Sequence, residues 1–139
     1  MRTPKIPPDR LYLPSHEWVR LQGDGTALIG LTHPLLERIG QIVSLELPAL
    51  DDEMMLGVPF GSVEGMTALH ELMPPFDALV LEVNEGMLWE LDKLAADPYE
   101  EGWLLRLRIE RPEQAAELMD APAYAQHCKE LWGKEVKVG

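Results

Sequence analysis

Polar and apolar positions alternate in "EWVRLQ" (17–22), which predicts a half-buried strand with Trp18 and Leu21 assigned to the core. Gly23-Asp24-Gly25 is a tight-turn signal, and "TALIGL" (26–31) predicts the returning strand. The period then changes. Thr32 fits a helix N-cap, Pro34 falls in the first turn and Gly40 closes the segment, so "HPLLERI" (33–39) predicts a short helix. "QIVSLEL" (41–47) resumes strand spacing until Pro48, and "ALDDEMMLGVP" (49–59) is assigned to a polar loop. "FGSVEG" (60–65) enters a hairpin that reverses at Met66-Thr67-Ala68 and leaves through Leu69 and Leu72, before Pro74-Pro75 breaks the chain.

"ALVLEVN" (78–84) predicts another strand, and residues 85–95 a short helix carrying Met87, Leu88, Leu91 and Leu94. In "WLLRLRIE" (103–110), Leu105, Leu107 and Ile109 point one way and Arg106 and Arg108 the other. Pro112 opens a helical region at 113–120 that continues through 123–132. Pro4, Pro7, Pro8 and Pro14 hold residues 1–14 as an irregular arm. Residues 133–139 form a tail, frayed or adding a short strand. The expected organisation is one domain over 15–132, mainly β, as a small sandwich or partly open barrel with short helices and a C-terminal helical region.

At 139 residues the chain suffices for one domain with its own core, and 46% hydrophobic content is ordinary for a globular protein. No apolar run approaches the roughly 18 residues of a membrane helix. The basic, proline-rich N-terminus lacks the apolar segment of a secretory signal. Cys128 is the single cysteine, which excludes an internal disulfide and points to a cytoplasmic setting.

Charge changes the picture more. The net charge is −12, and residues 46–101 hold 14 of the 24 acidic side chains against one base, Lys93. An acidic surface of this size repels nucleic acid and anionic membranes, and it favours a protein partner with a basic patch.

Reactive chemistry is sparse. His16, His33, His70 and His127 show no metal-ligand spacing, so no metal is expected. His70-Glu71, just past the hairpin, is expected as an exposed, solvated pair. Cys128 lies between His127 and Lys129, but neighbours one position apart on a helix point different ways, which favours a structural thiol. No nucleophile elbow, phosphate loop or dinucleotide fingerprint occurs. Met66 at the turn and Met73 beyond it suit an adaptable contact surface.

Several separated motifs, in order, resemble the glycine cleavage system H protein, a lipoyl carrier. They are "SHEWVRLQGDGTALIGLTHPLLERIGQIVSLELP", "VEGM", "NEGM", "DPYEEGWLLRLRI" and "ELMDAPAY", and they span roughly residues 15–126. The resemblance implies a hybrid barrel-sandwich domain of the biotinyl/lipoyl-carrier type. It also implies a carrier lysine at the hairpin tip, in a "V-E-S-V-K-A" run. Here that run is Val63, Glu64, Gly65, Met66, Thr67, Ala68, with Thr67 at the lysine position. Lipoate attaches through an amide to a primary amine, and no lysine lies between Lys5 and Lys93.

The resulting expectation is a chain without lipoate or any other cofactor. It is not an enzyme but a binding or scaffold module related to glycine decarboxylation or lipoate metabolism. Its interaction candidates are Glu64, Gly65, Met66, Thr67 and His70. Its expected partners carry a basic surface, among them glycine-cleavage or lipoate-attaching enzymes. Two alternatives stand beside it: a carrier modified elsewhere, and a metal-dependent enzyme built from His70 with Glu64 and Glu71.

Overall fold

Turn chemistry and strand periodicity produce a mainly β molecule, described by the computed structural model over residues 3–139. The elements begin with β1 (Lys5–Ile6), β2 (Leu11–Tyr12), β3 (Glu17–Leu21), β4 (Thr26–Leu31) and α1 (His33–Ile39). There follow β5 (Ile42–Glu46), β6 (Glu53–Met54), β7 (Gly61–Gly65), β8 (Leu69–Leu72) and β9 (Ala78–Val83). The chain ends with α2 (Gly86–Trp89), α3 (Leu91–Ala96), β10 (Leu105–Ile109), a 3₁₀ turn (Pro112–Glu117), α4 (Ala121–Trp132) and β11 (Lys137–Val138).

The strands form a six-stranded sheet in the order β2-β3-β4-β10-β9-β6, a three-stranded sheet β5-β7-β8, and the parallel pair β1-β11. The main core gathers Ile29, Leu31, Val80, Leu105 and Leu107 from the large sheet with Leu45, Val63 and Leu72 from the small one. Alternating apolar positions from two sheets make such a core because their side chains share one face of each strand. A second cluster seats α4 through Ala121, Tyr124 and Cys128 against Ile6, Tyr12 and Trp18. Among the described residues, no helix is long and apolar enough to cross a membrane.

Four local expectations change. Over its described residues, 3–14, the N-terminal arm is not irregular, and residues 1–2 of that expectation lie outside the described residues: β1 pairs with β11, β2 extends the large sheet, and Ile6, Arg10 and Tyr12 are buried. The partner of β1 lies at the other end of the chain, beyond the reach of a local pattern, whereas β2 pairs with the neighbouring β3. Leu21 is 46% exposed at the end of β3, while Glu17, Trp18 and Val19 are all buried. The polar loop contains β6, which pairs with the edge of β9. The C-terminal helical region breaks at Leu118–Met119, because Met119 exchanges both backbone hydrogen bonds with Tyr12, at 2.8 and 2.9 Å. The Asp120 carboxylate then accepts from the Ala123 N–H at 3.0 Å and caps α4 anew.

Candidate functional site at the hairpin tip

The turn between β7 and β8 is bound to the end of a helix. An α-helix ends with carbonyl groups that have no partner within it. For α1 the hairpin supplies donors. The Thr67 N–H donates to the Ile39 carbonyl oxygen at 3.0 Å, and the Thr67 hydroxyl donates to that of Arg38 at 2.9 Å. The Met66 N–H donates to the Gln41 carbonyl oxygen at 2.9 Å. Gly65 makes this approach possible, since a β-carbon there would collide with the Ile39 carbonyl group. Gly65 is accordingly buried, while Met66 is 71% exposed and Thr67 is also exposed.

Strand register sorts the remaining candidates onto two faces. Glu64 lies opposite Leu69 and Ser44, and Glu71 lies opposite Ser62, which faces Glu46. These positions share the outer face of the small sheet. His70 lies opposite buried Val63 and turns inward. It is therefore not a solvated partner of Glu71. The hydroxyl of Ser44 donates to the Glu64 carboxylate at 3.3 Å. Glu64 and Glu71 thus stand apart from His70 rather than forming a catalytic set with it. Among the described residues no group of three or more His, Cys, Asp or Glu side chains could hold a metal ion.

His70 leads to a buried cluster that the sequence pattern does not reveal. Its Nε2 is hydrogen-bonded to the Ser15 carbonyl oxygen at 2.7 Å and lies 4.0 Å from the Glu17 carboxylate. Glu17 is fully buried, and it accepts from the Ser15 hydroxyl and from the Met73 N–H at 2.9 Å. Burial outweighs those donors and pushes the Glu17 carboxyl up to about 8. Next to it, His16 stacks on Trp132 with ring centroids 4.5 Å apart, and its Nδ1 is hydrogen-bonded to the Tyr124 hydroxyl at 2.7 Å. Burial, then the neighbouring His70 and His127, hold His16 down to about 3. The one hint in the sequence is a charged residue, Glu17, opening a strand whose next two residues are apolar.

The tip and this cluster are joined through α1 and α4. The Arg38 guanidinium, whose carbonyl group receives the Thr67 hydroxyl, sits 5.4 Å from the centre of the Trp132 ring. Cys128, on the inner side of α4, is buried, and burial raises its thiol against the opposing hydrogen bond to Tyr124. It packs; it is not poised as a nucleophile.

Comparison with known proteins identifies the architecture. The family model described as "Glycine cleavage H-protein" matches residues 10–131. The chain belongs to the glycine cleavage H-protein family. The glycine cleavage system H protein of Crocosphaera subtropica is 41% identical over 131 residues, covering 94% of this chain and 96% of that protein. The H protein of Laribacter hongkongensis is 40% identical over 119 residues, covering 86% and 94%. A crystal structure of the H protein from Mycobacterium marinum superimposes with a TM-score of 0.81 at 30% identity, covering 87% of this chain and 97% of that one. The fold is thus the barrel-sandwich hybrid of the H proteins, here with two main sheets and the small β1-β11 pair.

Membership overturns the expected absence of a cofactor. H proteins carry lipoate, so lipoate is the cofactor this family brings with it. The tip itself does not fit an amide-linked lipoyl group. Thr67 offers a hydroxyl in place of an amine, and that hydroxyl is already directed at the Arg38 carbonyl group. The family's members are carriers that work with the glycine-cleavage enzymes and are not themselves catalysts.

Proposed function

We propose that this chain is a non-catalytic docking module of the glycine cleavage system, binding that system's enzymes through the hairpin tip and the acidic surface around it. The observation that carries this is the bonding of Thr67. The family resemblance implies a carrier lysine at this tip, and Thr67, read as standing at that position, spends both its N–H and its hydroxyl on the end of α1. What the tip still presents outward is a contact surface: exposed Met66 and Leu69, flanked by the carboxylates of Glu64 and Glu71. Apolar anchors rimmed by one sign of charge suit a partner with an apolar pocket and a basic rim. A glycine-cleavage enzyme or a lipoate-attaching enzyme with such a rim is the fitting occupant.

Affinity purification from the organism's own cells, with mass spectrometry of the bait and its captured partners, tests this. The expected result is recovery of glycine-cleavage or lipoate-attaching enzymes with the bait. Recovery of none of these enzymes contradicts it.

A further inference from the structure

Four large apolar side chains are exposed along the segment joining β5 to β7. Leu50, Met55, Leu56 and Val58 are between 49% and 62% exposed. The loop is not slack. The Asp51 N–H donates to the Val80 carbonyl oxygen and the Val80 N–H to that of Asp52, both at 2.9 Å. The Asp52 carboxylate accepts from the Ala49 N–H at 2.8 Å, and the Asp77 carboxylate accepts from the Leu56 N–H at 2.8 Å. Met54 is buried and anchors the middle of the segment. The backbone is thus stapled to β9 while the apolar side chains are held out in water.

Exposed Asp51, Asp52 and Glu53 lie among them, and no lysine or arginine occurs between Arg38 and Lys93. Arg111, which reaches the other oxygen of Asp77, is paired with it at 3.4 Å. The loop leads into β7 at Gly61, whereas the tip follows Gly65 at the strand's far end, so the two surfaces are separate.

We propose that loop 49–59 is a second protein-docking surface, which takes an apolar pocket rimmed by lysine and arginine on a glycine-cleavage enzyme. This rests on the docking role above but not on the tip. Fixed backbone geometry lowers the ordering cost of binding, and exposed methionine and leucine side chains adapt to a pocket. Charge selects the occupant. A second copy of this chain would bring another strongly acidic surface against Asp51, Asp52 and Glu53, and like charges oppose that pairing.

The test is an amide NMR spectrum of the isotope-labelled full chain, titrated with each purified glycine-cleavage enzyme in turn. Loss of peak intensity at residues 50–58 with at least one enzyme is expected. The triple variant Leu50→Ser, Met55→Ser, Val58→Ser should keep the remaining spectrum and bind about tenfold more weakly or worse. The variant Asp51→Asn, Asp52→Asn, Glu53→Gln leaves the apolar residues in place and should flatten the salt dependence of binding. Intensity loss confined to the tip overturns this proposal and leaves the docking role standing. No loss with any of the enzymes overturns both.

Discussion

The hydroxyl of Thr67 donates to the carbonyl oxygen of Arg38 at 2.9 Å, across 29 residues of sequence, and so closes the end of α1 with a side chain from another element. An isosteric test follows. Thr67→Val keeps the shape and removes the donor, and it should cost about 1 kcal/mol of stability, the usual net worth of one hydrogen bond. Thr67→Ser should stay close to the parent. Chemical denaturation of the three proteins checks this.

Thr67→Lys restores a primary amine at the position where the resemblance places the carrier lysine. Co-expressed with a lipoate ligase, this variant should gain a lipoyl group on the peptide that spans residue 67. Peptide mass spectrometry reads the outcome. A variant whose new amine stays bare would show that the surrounding residues, and not only the side chain at position 67, have changed what the tip can present.

Gly65 lets the hairpin touch Ile39. Gly65→Ala places a β-carbon against backbone, which cannot swing aside as a side chain would. The hairpin must then move off α1 and lose bonds from Met66 and Thr67. A loss of about 2 kcal/mol or more is expected, as for other steric insertions at close backbone contacts. Thermal unfolding of the variant measures it.

Two buried titrating groups set opposing pH dependences. Glu17, raised from 4.5 to about 8, binds its proton more tightly folded than unfolded, so its contribution is full below about 4.5 and is lost as pH rises to about 8. His16, lowered from 6.5 to about 3, does the reverse: its contribution is full above about 6.5 and is lost as pH falls to about 3. The two slopes oppose each other between about 4.5 and 6.5, which leaves stability nearly flat there. Above about 6.5 stability should decline until about pH 8, and Glu17→Gln should abolish that decline. Urea denaturation across this range checks both.

Much of this architecture was legible because it is local. β4 and α1 follow from a turn at Gly23-Asp24-Gly25 and a cap at Thr32, and both form over the expected residues. The hairpin reversal at Met66-Thr67-Ala68 was equally readable. What escaped depends on distant partners. The pairing of Lys5 with Lys137 and of Tyr12 with Met119 has no periodicity to announce it. The inward turn of His70 and the burial of Glu17 depend on how β8 meets the segment around Ser15. An absent lysine was plain in the sequence, but the bonds that occupy Thr67 instead were not.

Docking of glycine-cleavage enzymes at the tip is tested most directly by calorimetry. Each purified enzyme is titrated with the parent chain and with the tip variants Met66→Ser and Glu64→Lys. Measurable binding by at least one enzyme is expected, weakened about tenfold by either variant. Binding that both variants leave unchanged, or no binding by any of the enzymes, would contradict a docking tip.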